Sequence, residues 1–181
     1  MIAMPTTYTL KPHIDNPVEN LSASVMIERS TRFRWLLTYE ILGNTQAIVF
    51  PDRARSGRGA KLWEETCFEF FIRNIDDEYI EFNFSPSGQW ACFYFDHYRE
   101  GMRDVILGAE PTISVVVAPQ LFRLEVSLDL AGVGLFSRPD AKLFIALTSV
   151  MKMQDQRYCY YALDFPSGSP DFHHPAGFFG V

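Results

Sequence analysis

Residues 62–99 run LWEETCFEFFIR, then NIDDE, then YIEFNFSPSGQWACFYFDHYR, and this stretch decides the fold. It reads as an apolar-alternating strand, a polar turn, and a β-hairpin closed by Ser85-Pro86-Ser87-Gly88. Strand side chains alternate faces, so Phe68, Phe70 and Ile72 fall on one side and Cys67, Glu69, Phe71 and Arg73 on the other. In the next run Ile80, Phe82 and Phe84 share a face, and Tyr79, Glu81, Asn83 and Ser85 share the opposite one. A solvated outer face would carry Lys, Thr and Ser. Glu and Asn set among Phe and Tyr suit a lined groove instead.

The hairpin turn decides which residues join that groove. Pro86 fits the first central position of a type I turn and Gly88 tolerates positive φ, so a three-residue loop ending in a bulge is expected. Asn83 then opposes Ala91 and Glu81 opposes Phe93, with Trp90, Cys92 and Tyr94 on the core side. A two-residue turn would flip the third strand and put Trp90 in the groove.

The rest of the chain reads as walls around this stretch. Residues 8–12 form a short edge strand, residues 21–28 a strand, and residues 32–42 a half-buried strand with Phe33, Trp35, Leu37, Tyr39 and Ile41 on its apolar side. Residues 47–50 are a further short strand. The segment PDRARSGRGAK, residues 51–61, is irregular and arginine-rich; its spacing does not fit a phosphate-binding P-loop, a mobile solvated loop is expected over a specific anion site, and its position before Trp63 also suits a wall or lid of the groove. Residues 98–106 are a loop or short helical turn. Residues 113–118 and 121–127 form a hairpin, residues 127–139 hold one helical turn, and residues 142–151 are a strand buried on both faces that pairs with residues 158–163. The Pro- and Gly-rich tail returns as coil. Many short strands with frequent turns indicate a single all-β sandwich spanning residues 1–181.

Composition narrows the function classes. With 48% hydrophobic and 21% charged residues the chain is an ordinary globular one, and 16 phenylalanines suit thick sheet-on-sheet packing. A net charge of -6 argues against nucleic-acid binding, which needs a basic surface. Cys67, Cys92 and Cys159 lie in apolar runs without CxxC spacing, which points to a reducing compartment. No signal peptide is visible and no run approaches the ~18 apolar residues of a membrane helix. The expected location is cytoplasmic, or periplasmic or secreted if a leader has been removed, with no membrane partner.

The strings LWEETCFEFF and YIEFNFSPSGQWACFYFDHYR and the closing PDFHHPAGF together resemble the DOMON-like domains grouped with carbohydrate-binding module family nine. The resemblance spans nearly the whole chain, with the three motifs in the expected order. It implies an immunoglobulin-like sandwich of two antiparallel sheets, generally non-catalytic, whose members bind sugars or haem. It further implies a groove on one sheet or its rim, and favours Trp63, Glu69, Asn83, Arg99 and His173 as ligand contacts.

The residues themselves point the same way. A sugar site needs a flat aromatic to stack on C–H faces, with carboxylate, amide and guanidinium groups for the hydroxyls. Trp63, Glu69, Glu81, Asn83 and Arg99 are those types. The bland alternative makes Trp63 a core residue at the sandwich edge and pairs the two glutamates with Arg99, Arg73 or Lys152, since a buried carboxylate must be paired. Glu69 and Glu81 could also serve as acid and nucleophile of a glycoside hydrolase. Asp171, His173 and His174 could bind a metal with help from His13 or His97, although a capping role suits them better. Met102, Met151 and Met153 could serve haem with the histidines, although methionine on a strand is usually core filling. No Ser-His-Asp ordering, dinucleotide fingerprint or CxxC occurs. The expectation is a binding module for a saccharide or similar small polar ligand. It has no catalytic residue, metal or cofactor, and a separate enzyme is a possible partner.

Overall fold

The computed structural model describes residues 4–136 and 142–181. Among these, thirteen strands follow in chain order: β1 (Thr6–Pro12), β2 (Leu21–Arg29), β3 (Arg34–Gly43), β4 (Gly57–Arg58), β5 (Cys67–Arg73), β6 (Tyr79–Phe84), β7 (Gln89–Phe95), β8 (Arg103–Asp104), β9 (Thr112–Ala118), β10 (Leu121–Asp129), β11 (Phe144–Lys152), β12 (Tyr158–Ala162) and β13 (Phe179–Gly180). They form one curled sheet in the order β4-β7-β6-β5-β11-β12-β1-β2-β3-β10-β9, with β13 beside β11 and β8 beside β7. Among the described residues no helix is long and apolar enough to cross a membrane.

The sheet folds over so that two layers face each other. Phe122 of β10 stacks on Phe68 of β5 at 5.1 Å, Trp35 of β3 meets Phe70 at 5.6 Å, and Tyr39 meets Phe68 at 5.3 Å. All of these side chains are buried, and each fully buried aromatic contributes about 1.5–3 kcal/mol. The fold is therefore all-β with the core between the layers, as the alternation of Phe68, Phe70, Ile72, Ile80, Phe82 and Phe84 requires.

Several local expectations change. Residues 8–12 are no edge: β1 pairs with β2 through Thr6–Leu10 and with β12 through Lys11 and Pro12, so it stitches the two layers together. Residues 62–65 do not extend the strand; Leu62–Glu64 curl into a 3-10 turn after Lys61, which sits in the left-handed region at φ 52°. Residues 47–50 are likewise not a strand, since Thr45–Ala47 form a 3-10 turn and only Ile48 bridges, to Met153. The arginine-rich segment is not a lid. Gly57 and Arg58 run parallel to Gln89 and Trp90 at the edge of β7, and Arg58 is held by Asp104 and the Cys92 carbonyl. Residues 96–106 turn through His97 and Glu100 and return as β8. Of the helical turn expected within residues 127–139, Gly134–Phe136 form a 3-10 turn, and its last three residues lie outside the described residues.

Candidate functional site

The outer face of the β5–β6–β7 layer carries the site. The hairpin is a three-residue loop as expected: Ser85 N–H donates to Gln89 O at 2.9 Å, Gly88 lies at φ 95°, and Glu81 pairs with Phe93 and Asn83 with Ala91. That register puts Glu69, Phe71, Tyr79, Glu81, Asn83, Phe93 and Phe95 on one face, with Thr148 and Val150 continuing it on β11 and Tyr158 and Tyr160 on β12. Over this face come the 3-10 turn with Trp63, the turn carrying Arg99, and the tail from Pro170 to His173. Together they enclose a cavity of about 600 Å³.

Five of the six residues expected from the sequence line this cavity: Trp63, Glu69, Glu81, Arg99 and His173. Asn83 does not. It is fully buried behind the wall, where its amide donates to Glu81 Oε1 at 2.7 Å and its carbonyl faces Cys67 Sγ at 3.6 Å. Its part is to fix the Glu81 carboxyl. Trp63 is 38% exposed, with its ring edge-on to Phe93 at 6.0 Å, so it belongs to the rim and not to the core.

Glu69 and Glu81 are 4% and 6% exposed, yet among the described residues no lysine or arginine pairs with either one. The basic groups that could have done so are engaged elsewhere: Arg99 with Asp171, Arg73 with Asp77, and Lys152 with Glu65. Glu69 Oε2 accepts from the Thr148 hydroxyl at 3.0 Å, and Glu81 Oε2 faces His173 Nε2 at 3.7 Å. Glu69 lies opposite Asn83 and Glu81 opposite Phe71, so the two carboxyls are diagonal neighbours across β5 and β6, about 7–8 Å apart at the backbone. Burial, the largest cause, raises the pKa of both carboxyls; the proximity of Glu81 raises Glu69 further. Burial, followed by the Arg99 charge, brings His173 down to about 4, so its imidazole is neutral at pH 7.

Tyr79 ties the wall together. Its hydroxyl bonds His173 Nδ1 at 2.8 Å and accepts from the Arg99 backbone N–H at 3.0 Å, while its ring stacks on Phe95 at 4.6 Å. Arg99 sits in the left-handed region at φ 58°, which aims its guanidinium at Asp171, 2.8 Å away. Asp171 also accepts from the His173 N–H at 3.1 Å, and His174 Nδ1 caps the next turn by accepting from Ala176 N–H at 3.2 Å. The Asp171–His174 cluster thus has the capping role. Among the described residues no group of three or more His, Cys, Asp or Glu stands close enough to hold a metal ion. His13 is buried elsewhere against Gly168 O at 2.9 Å.

The aromatic walls Tyr158, Tyr160 and Phe172, together with Phe95 and Val150, were not singled out from the sequence, and Met102 was weighed there only as a haem ligand. Alternation along β12 carried the signal for two of them: Cys159 and Tyr161 are in the core, which leaves Tyr158 and Tyr160 on the outer face.

No protein-family model matches the chain. No curated protein matches it either. Among solved structures it is similar to a provisionally named carbohydrate-binding protein from Bacteroides uniformis, with a TM-score of 0.70, 17% identity, and coverage of 97% of this chain and 84% of that one. At that identity the likeness is one of fold, and it places this chain among single-domain all-β proteins built on a curled, half-barrel sheet.

Proposed function

We propose that the protein is a non-catalytic binding module whose cavity holds a saccharide or similar small polar ligand. One observation carries this reading: a cavity of about 600 Å³ has in its wall two buried carboxyls that no lysine or arginine among the described residues pairs with, and a rim of Trp63, Tyr158, Tyr160 and Phe172 above them. The volume is that of a small-ligand pocket, in which apolar walls and a few placed polar groups divide the work. Aromatic faces stack on sugar C–H groups, and the carboxyls, Arg99 and His173 meet hydroxyls. The fold likeness to a protein named for carbohydrate binding supports the reading. An immunoglobulin-like sandwich of the DOMON type related to carbohydrate-binding module family nine agrees with it. In this reading the module acts in the cytoplasm as a sensor or carrier beside a separate enzyme, without nucleic acid or membrane as partner.

A hydrolase reading of Glu69 and Glu81 is weaker. Such a pair needs one carboxylate held ionised as nucleophile or base, whereas here burial drives both upward. A haem reading fits poorly. Met151 and Met153 are in the core, and both nitrogens of His173 face protein partners, Tyr79 and Glu81.

The test is a thermal-shift screen against mono- and disaccharides at ~10 mM, where even millimolar affinity raises the melting temperature. A sugar that stabilises the native protein but not Trp63→Ala supports the reading. No stabilisation by any sugar overturns it. Turnover of a glycoside that is lost in both Glu69→Gln and Glu81→Gln would establish the hydrolase instead.

A further inference from the structure

Resting on the saccharide reading, we infer that the ligand is a cationic sugar, an amino sugar whose free, protonated amine sits against Glu69 and Glu81. The charges lining the cavity do not balance. Glu64 is paired with Lys61 at 3.0 Å and Arg99 with Asp171 at 2.8 Å, so these cancel at the rim. That leaves Glu69 and Glu81, each more than nine-tenths buried, lining the cavity with no cation of their own among the described residues. Among the described residues Glu69 Oε1 accepts no hydrogen bond from the protein, and Glu81 Oε2 faces His173 Nε2 at 3.7 Å, beyond hydrogen-bond reach. An ammonium has three donors and would meet both oxygens with charge-assisted bonds, which are about twice as strong as neutral ones.

The aromatic rim adds a second attraction. Trp63, Tyr158, Tyr160, Phe95 and Phe172 surround the same cavity, and ring faces attract cations as well as C–H groups. An anionic sugar is disfavoured for the converse reason, because the guanidinium that would receive it is already held by Asp171.

Protonation of the pair is coupled to binding. The titratable groups facing the pair are Arg99, tied to Asp171; His173, neutral at pH 7; and Tyr79, Tyr39 and Cys67, whose values are all raised by burial, so that they stay protonated. Burial raises Glu69 and Glu81 and so favours their protonated forms, and an incoming ammonium must displace a carboxyl proton to pair with them. Binding therefore releases a proton and tightens as pH rises, up to the point where the amine itself deprotonates.

The experiment is isothermal titration of the intact protein at pH 7 with D-glucosamine, D-glucose, N-acetylglucosamine, D-glucuronate, putrescine and choline. Glucosamine is expected to bind roughly tenfold or more tighter than glucose, the gain of one charge-assisted bond over a neutral one. N-acetylglucosamine is expected to fall back to the glucose level, and glucuronate below it. Glu69→Gln and Glu81→Gln, checked for native circular dichroism, are expected to bring the glucosamine-to-glucose ratio toward one; if either variant fails to fold, the ligand series on the unaltered protein still decides. Glucose and glucosamine binding within threefold of each other overturns the inference while leaving the saccharide reading intact. Binding of putrescine or choline with no sugar bound overturns both.

Discussion

Removing one oxygen from the wall of the cavity, by Tyr79→Phe, tests whether the site is held the way the hydrogen bonds indicate. The ring and its stacking on Phe95 at 4.6 Å are retained, so the change isolates the hydroxyl. That hydroxyl makes two bonds, to His173 Nδ1 at 2.8 Å and from the Arg99 N–H at 3.0 Å. Each such bond contributes about 1 kcal/mol net, and a stranded buried partner would cost up to about 3 kcal/mol. Both partners are only partly buried and water can reach them from the cavity, so the expected loss is about 2 kcal/mol. With a urea slope of about 2 kcal/mol/M the unfolding midpoint falls by about 1 M. Because His173 and the Arg99 turn lose a common anchor, affinity for the sugar found by screening falls roughly fivefold, beyond what a remote loss of stability produces. The measurements are urea unfolding followed by fluorescence, and titration calorimetry at a temperature where both proteins are folded. A midpoint shift below about 0.2 M with unchanged affinity would refute the assignment of Tyr79 as the post of this wall.

Three further outcomes follow from the same geometry. The melting temperature is expected to fall as pH rises above 6.5 and through about 7, the value to which burial raises Glu81. The sign comes from the carboxyls: a folded pKa above the ordinary 4.5 gives Glu69 and Glu81 stability that is full at acid pH and lost as pH rises through the folded value. His173, lowered from 6.5 to about 4, acts oppositely and only below 6.5, so the alkaline slope belongs to the carboxyls, and it flattens in Glu81→Gln; an unchanged slope in that variant would contradict the account. Trp63→Ala is expected to weaken sugar binding roughly tenfold while costing under about 1 kcal/mol of stability by urea unfolding, because the ring stands at the rim. Gly43→Ala is expected to destabilise by at least about 3 kcal/mol. A Cβ there would lie 1.8 Å from the Asn20 carbonyl oxygen on a backbone at φ 113°, and a loss under about 1 kcal/mol would mean that the β2–β3 corner yields more easily than it is drawn.

What the sequence disclosed, and what it hid, divides along the range of the forces involved. Alternation in CFEFFIR and YIEFNF assigned both faces of β5 and β6, and Pro86 with Gly88 set the register of β7, because those are local rules of pleat and turn. The chemistry of Glu69, Glu81, Arg99 and His173 was visible as residue type, and the fold brought these side chains to one cavity. Asn83 was misjudged, since its face was right but its depth was not: the sheet buries it between Glu81 and Cys67. The role of Tyr79 was hidden because its partners lie 20 and 94 residues away, beyond any local pattern. The link of β1 to both layers was hidden likewise, as nothing in Thr6–Pro12 announces that its last two residues change partner.

That change of partner has a consequence for how the molecule can vary. A ribbon woven into both halves, with the Tyr39 hydroxyl reaching across to the Glu69 carbonyl at 2.7 Å, leaves the floor under the guest no freedom to hinge or slide. New preferences must therefore arise from the edges, the turn bearing Trp63, the bend at Arg99 and the segment from Pro170 to His173, where substitutions leave the foundation untouched. Selectivity and solidity reside in separate parts of the chain, and each can drift without the other.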